Sequence, residues 1–384
     1  MAHDVVLFGA TGFTGRLTAA YLARHAPEGC RWALAGRSRA KLEDVRAGLG
    51  PGFETLPLLY ADVTDPASLK AVAESSKVVI TTVGPYVQYG EPLVAACAEA
   101  GTDYVDLCGE PEFTDLMYVR YHARAAETGA RIVHACGFDS IPHDLGVYYT
   151  VKQLPDDVPI RVRGQVRVGA TFSGGTYASA LGAASRLVPM IQAARERQKV
   201  QHRPEGRRVR AVTGTPRRDG ETGHWLVPLP TIDPQIVVGS ARELPEYGPD
   251  FTYSHYAAVK HLPVLAGGLA GLGAAVALVQ LPPVRRALGN LRKPGEGPSE
   301  QRRAKSWFTV RFTADGGGKR VVTEVSGGDP GYDETAKMLA ESALCLAVDD
   351  LPERAGQLSP AAAMGDALLT RLKNAGLAFR TLPS

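Results

Sequence analysis

A chain of 384 residues is too long for one small core, so two domains of ordinary size are expected. Hydrophobic residues at 45% and charged residues at 22% exclude the disordered and fibrous classes. With 43 Lys and Arg against 40 Asp and Glu, the net charge of +3 argues against nucleic acid as the partner.

Over the first 150 residues, short apolar runs alternate with helical stretches. The runs are Asp4–Phe8, Arg31–Ala35, Thr55–Tyr60, Val78–Val83, Tyr104–Leu107 and Arg131–His134; the helices run from Gly15 to His25, from Arg39 to Leu49, from Asp65, from Glu91 to Ala100 and from Phe113 to Thr128. This alternation predicts an α/β fold, a Rossmann-type doubly wound parallel sheet over residues 1–150. From about Val151 the pattern shifts to period 2. Arg161–Val168, Trp225–Val227, Ile236–Val238, Trp307–Thr313 and Arg320–Val325 read as strands, with a hairpin turn at Ala314–Gly318 and a helix over Thr176–Gln198. Residues 151–330 are thus expected to form a second α+β domain on a mixed sheet. Helical periods at Asp333–Val348 and Pro360–Leu372 suggest that 331–384 packs back on the first domain.

Residues 262–284 carry no charge and precede Arg285, Arg286, Arg292 and Lys293. Their length suits either a membrane contact or a buried Gly/Ala-rich hairpin. The basic stretch Arg203–Arg218 reads as a solvated loop rather than a lipid or carrier contact. Five cysteines (Cys30, Cys97, Cys108, Cys136, Cys345), with no C-x-x-C pair, read as reduced thiols of a cytoplasmic protein. No basic n-region opens the chain, so a cleaved signal peptide is not expected. The histidines show no metal-binding spacing, and no metal is expected. Tyr256 and Lys260 match the Y-x-x-x-K spacing of short-chain dehydrogenases but lie far past the dinucleotide region.

The loop Gly9-Ala10-Thr11-Gly12-Phe13-Thr14-Gly15 follows the first strand and opens the first helix. Gly9 would permit the tight turn, Gly12 close approach of a pyrophosphate, and Gly15 tight packing of helix on strand, with phosphate at the helix N-terminus. An NAD site usually ends its second strand in a carboxylate. Here the sequence is Gly36-Arg37-Ser38, which favours NADP(H), with Arg37 pairing a 2′-phosphate, Ser38 adding a donor and Asp62 near the adenine. Gly84 and Pro85, after the fourth strand, should flank the nicotinamide, with Tyr86 or Tyr89 covering one face or donating a hydrogen bond, and Tyr86 is the catalytic candidate of the two.

These segments, together with Tyr104-Val105-Asp106-Leu107-Cys108-Gly109-Glu110 and Gly137-Phe138-Asp139-Ser140-Ile141-Pro142-His143-Asp144, resemble the saccharopine dehydrogenase-like oxidoreductases. Within that family they are most similar to the actinobacterial trans-acting enoyl reductases. The resemblance implies NADPH-dependent reduction of a carbon–carbon double bond in an acyl or polyketide-type lipid intermediate, small or carrier-bound. It also implies association with membranes or lipid bodies, for which 262–284 would be the peripheral contact; a homodimer stays open. Enoyl reduction needs oxyanion stabilisation and a proton for the α-carbon. Asp139, Ser140 and His143 offer a carboxyl, a hydroxyl and an imidazole, with His143 the natural proton source. Capping of the next helix is the alternative role for that loop. Two other functions stay open: a non-catalytic nucleotide-binding protein at lipid surfaces, and a saccharopine-type amino-acid dehydrogenase.

Overall fold

The computed structural model of the protein describes residues 1–170, 186–260 and 297–383. Its first part runs β1 (His3–Phe8), α1 (Phe13–His25), β2 (Trp32–Gly36), α2 (Arg39–Ala47), β3 (Leu58–Tyr60), α3 (Pro66–Ser75), β4 (Ser76–Thr81), α4 (Tyr86–Tyr89), α5 (Glu91–Ala100), β5 (Asp103–Asp106), α6 (Pro111–Thr128), β6 (Arg131–Val133) and α7 (Ile141–Val151). All six strands pair in parallel in the order β6-β5-β4-β1-β2-β3. Val5, Val6 and Leu7 of β1 and Val78, Val79 and Ile80 of β4 are completely buried. Unbroken apolar runs are what a sheet covered on both faces requires. Strand order reverses between β1 and β4, so a crevice opens beyond their carboxyl ends, where dinucleotides bind in this architecture.

Next come β7 (Ile160–Gly169), α8 (Leu187–Val200), β8 (Arg208–Ala211), β9 (Arg217–Arg218), β10 (Trp225–Pro228), α9 (Asp233–Glu243), β11 (Asp250–Val259), α10 (Glu300–Arg303), β12 (Trp307–Gly316) and β13 (Lys319–Gly327). They build a mixed sheet: β7 and β11 are parallel, while β12 runs antiparallel to both β7 and β13. Alternation along β12 puts Phe308, Val310 and Phe312 wholly inside. The β12–β13 hairpin turns on Gly317 and Gly318, at φ 58° and 75°, as a two-residue loop of positive φ demands.

The C-terminal segment joins both sheets. α11 (Asp333–Val348) packs on α1 and behind β1 and β4. β14 (Gly356–Leu358) extends the parallel sheet beside β6, and α12 (Pro360–Asn374) packs on α7. The last strand, β15 (Ala378–Leu382), pairs with β13 in the mixed sheet. Residues 331–384 therefore do not all lie on the first domain: the tail crosses to the second.

Two further expectations need correction. Ile236–Val238, read as a strand, lies within helix α9, whose start is marked by Asp233 and Pro234 at the first turn. A three-residue apolar run does not by itself distinguish strand from helix. The basic stretch 203–218 is not simply solvated. Arg207 donates to the carbonyls of Ala241, Leu244 and Gly248 at the end of α9, and Arg210 pairs with Asp250. Part of the Thr176–Gln198 helix and all of 262–284 lie outside the described residues. Among the described residues, no helix is long and apolar enough to cross a membrane.

Candidate active site

At the head of α1, each of the three glycines occupies a position that suits its residue type. Gly9 has φ +87°, and a Cβ there would meet Thr82 Oγ1 at 2.7 Å and Val83 Cγ2 at 2.8 Å. At Gly15 a Cβ would lie 2.2 Å from the Gly9 carbonyl oxygen, so only glycine lets the helix sit this close to the turn. Gly12 is the helix N-cap and has no side chain to satisfy the first-turn N–H groups. Those donors, lined up with the helix dipole, are what a pyrophosphate needs. Thr82 Oγ1 donates to the Gly9 carbonyl at 3.0 Å and ties the loop to the end of β4. The Phe13 ring turns away from the loop onto Tyr332, edge-on at 4.8 Å, with the Arg303 guanidinium over it at 5.5 Å.

Beyond β2, Arg37 is exposed, and no described residue bonds its guanidinium. Its charge acts on Asp62, whose carboxyl lies below its usual range because it accepts from Thr64 N–H and Thr64 Oγ1, with Arg37 adding to the effect. Asp62 is thus shaped by its own turn. Ser38 caps α2, accepting from Lys41 N–H at 3.5 Å. Among the described residues Arg37 makes no ion pair, and no carboxylate occupies the end of β2.

Beyond β4, Gly84 and Pro85 are exposed and joined by a cis peptide bond. Glu110, after β5, accepts from the N–H groups of Tyr86 and Val87 at 3.1 and 2.9 Å and so fixes this loop. Tyr86 is not placed as a donor to a ligand. It is 5% exposed, donates to the Thr81 carbonyl and accepts from Leu107 N–H. Burial raises its phenol well above the usual range, so the hydroxyl serves as a brace between β4 and β5.

Asp106, at the end of β5, organises the next loop. It binds His134 Nδ1 at 2.7 Å, the Tyr104 hydroxyl at 2.9 Å and the N–H groups of Cys108 and Ala135. Those bonds hold Ala135 at φ 61°, a left-handed conformation that costs a non-glycine residue about 1–2 kcal/mol. The chain then turns through Asp139 into α7. Asp139 is half-buried, and its Oδ2 lies 3.5 Å from where a Gly109 Cβ would stand, so the loop after β6 meets the loop after β5 here. Burial raises its pKa, the Asp233 charge raises it further, and His143 partly offsets both. Ser140 is completely buried, and its hydroxyl has no partner among the described residues.

His143 is 1% exposed, with Nδ1 2.8 Å from Asp233 Oδ1. Burial pushes the imidazole pKa down, but the Asp233 carboxylate more than compensates, and the net shift is upward. His143 therefore faces α9 and the mixed sheet. Asp144 holds the fold together: it accepts from the Ser240 hydroxyl and from Ala361 N–H at the head of α12, and burial pushes it up to about 7. In the Tyr256–Lys260 spacing, Tyr256 lies buried on β11 with Arg217 stacked over its ring.

Residues 5–133 match the family described as the saccharopine dehydrogenase NADP binding domain. Over 98% of this chain and 97% of the relative, identity is 41% to a Mycobacterium tuberculosis protein provisionally named a trans-acting enoyl reductase. It is 39% and 38% to the trans-acting enoyl reductases of Mycobacterium bovis and Mycobacterium leprae, at the same coverage. The chain belongs to the trans-acting enoyl reductase family. The apo saccharopine dehydrogenase (L-Glu forming) of Saccharomyces cerevisiae shares the fold, with TM-score 0.59 over 99% of both chains at 13% identity.

This family member is an NADP-dependent oxidoreductase, and the glycine cradle and the free Arg37 fit NADP(H). Sequence reasoning missed Glu110 and Asp106, which position the cleft loops, and Asp233 and His255, which meet His143 from the second domain. The first pair lies in the Tyr104–Glu110 segment that carries the family resemblance, but local spacing does not assign their partners. For the second pair there was no signal, because their role depends on elements that meet only in the folded chain. A cavity of about 930 Å³ lies among Tyr21, Glu341, Asp349 and Arg371, at the other end of α1 from the glycine loop. It has no part in the cofactor chemistry.

Proposed function

We propose that this enzyme reduces the carbon–carbon double bond of an enoyl thioester, free or carrier-bound, in the assembly of an acyl or polyketide-type lipid. NADPH, when bound, supplies the hydride. The glycine loop and the first turn of α1 hold its phosphates, Arg37 selects its 2′-phosphate, and Gly84 and Pro85 leave room for backbone beside the ring. Asp139 then carries the proton for the α-carbon. The observation that supports this most is the position of its carboxyl, half-buried beside Gly109 where the loops after β5 and β6 meet, with burial favouring the protonated acid. Asp139 thus takes the donor role expected of His143, whose ring is enclosed.

The test follows 4-deuterated NADPH with enoyl thioesters of short, medium and long chain. A saturated product carrying deuterium at the β-carbon is expected. Failure of every such thioester to stimulate NADPH oxidation would overturn the reading.

A further inference from the structure

One buried polar cluster has no role in hydride transfer or in cofactor binding. His143 stands on the first turn of α7, Asp233 opens α9 and His255 lies on β11. They are 1%, 1% and 5% exposed. His143 Nδ1 lies 2.8 Å from Asp233 Oδ1 and His255 Nε2 lies 3.5 Å from Asp233 Oδ2, and the three candidate donor atoms fall within 4.8 Å of one another. The two imidazoles meet edge to face at 5.1 Å.

Proximity has not brought satisfaction. Beyond the His143–Asp233 ion pair and the Phe138 backbone beside the imidazole, His143 Nδ1 and Nε2, Asp233 Oδ1 and His255 Nε2 make no properly directed hydrogen bond among the described residues. A buried polar atom left unpaired costs about 1–3 kcal/mol, so several converging on one point indicate a missing partner. The outer contacts narrow its chemistry. His255 Nδ1 lies 2.9 Å from the Tyr253 hydroxyl, and the Thr231 hydroxyl donates to Asp233 Oδ2. With Tyr253 O–H donating to Nδ1, an Nε2–H of His255 would point to the carboxylate at 3.5 Å; with Nδ1–H donating instead, the Nε2 lone pair faces the carboxylate, acceptor against acceptor. A cation between them removes that conflict. Ligating histidines and carboxylates are commonly held by such outer hydrogen bonds.

We propose that His143, Asp233 and His255 bind one divalent transition-metal ion through two imidazole nitrogens and one carboxylate oxygen. Two nitrogens and one oxygen suit zinc, cobalt or iron(II) better than calcium or magnesium, which prefer all-oxygen shells. Three protein ligands leave at least one position open. The ion would join the last helix of the first domain to α9 and the mixed sheet. An ion pair between His143 and Asp233 alone would leave His255 Nε2 only the long 3.5 Å contact to Asp233 Oδ2.

The full-length protein is stripped with a chelator, equilibrated with zinc chloride at neutral pH, desalted and assayed for bound metal. About one equivalent per chain is expected, as for other sites with three protein ligands. His255→Gln and Asp233→Asn should each lose at least about fivefold in occupancy while keeping NADPH binding, which is read separately by fluorescence. Wild-type protein without zinc, or variants that keep a full equivalent, would overturn the site. X-ray absorption of the zinc-loaded wild type needs no variant: two imidazoles and an oxygen shell support the site, whereas a thiolate or all-oxygen shell overturns it. Either outcome leaves the reductase reading standing.

Discussion

The glycine loop at the head of α1 and the His143–Asp233–His255 trio are both polar sites, yet they are made in opposite ways. The loop is seven consecutive residues, and its function lies in the backbone: one positive φ, one close approach and a helix end without a capping side chain. The trio comes from three separate elements, two of them in the second domain, and its function lies in side-chain atoms that meet only after those elements pack. A backbone site is recorded in local spacing. A side-chain site of this kind is recorded nowhere until the sheet and helices are in place.

Substitutions should divide along the same line. Asp139→Asn should cause the largest loss, lowering kcat about 10²–10⁴-fold with little change in the KM for NADPH, as removal of a general acid does. Because the acid acts protonated and its pKa is raised, turnover of chelator-treated enzyme should fall as pH rises through that pKa. Asp139→Asn should remove this limb, and an unaltered pH profile would exclude Asp139 as the donor. Next, Arg37→Ala should weaken NADPH binding by about 1.5–3 kcal/mol, roughly 10–150-fold, and leave NADH binding unchanged. Equal affinity of the wild type for both cofactors would contradict the role of Arg37.

Gly15→Ala tests the backbone site directly. With a Cβ 2.2 Å from the Gly9 carbonyl, helix and turn must part, costing about 1–3 kcal/mol in urea denaturation and much of the NADPH affinity. The smallest effect belongs to Tyr86→Phe. It loses the bridge from Thr81 to Leu107, worth about 1 kcal/mol of stability, while kcat stays within about twofold. A large loss of kcat would return Tyr86 to the catalytic set.

The first domain was legible because strand, glycine turn and helix follow one another at fixed spacing, and each apolar run is buried on both faces. The position of Arg37 was legible for the same reason, since strand length alone puts it at the edge of the crevice. The second domain was less so. Ile236–Val238 is apolar enough for a strand, and only its place after Asp233-Pro234 marks a helix start. Neither short strand β14 nor β15 was signalled, because both are made by pairing with strands far away in sequence. Tyr86 and His143 carry the right functional groups for catalysis. Their neighbours decided otherwise: Thr81 and Leu107 engage the phenol, and Asp233 takes the imidazole.

By itself, then, the sequence determined the doubly wound sheet and, through the glycine loop and Arg37, pointed to NADP(H), because those readings rest on local backbone geometry and the presence or absence of one charge. The tertiary structure alone decided which carboxyl lies beside Gly109, which hydroxyl is spent on bracing and which histidines converge on Asp233. Burial and electrostatic coupling depend on distances between elements remote in sequence, and those distances exist only once the two sheets have packed around α7.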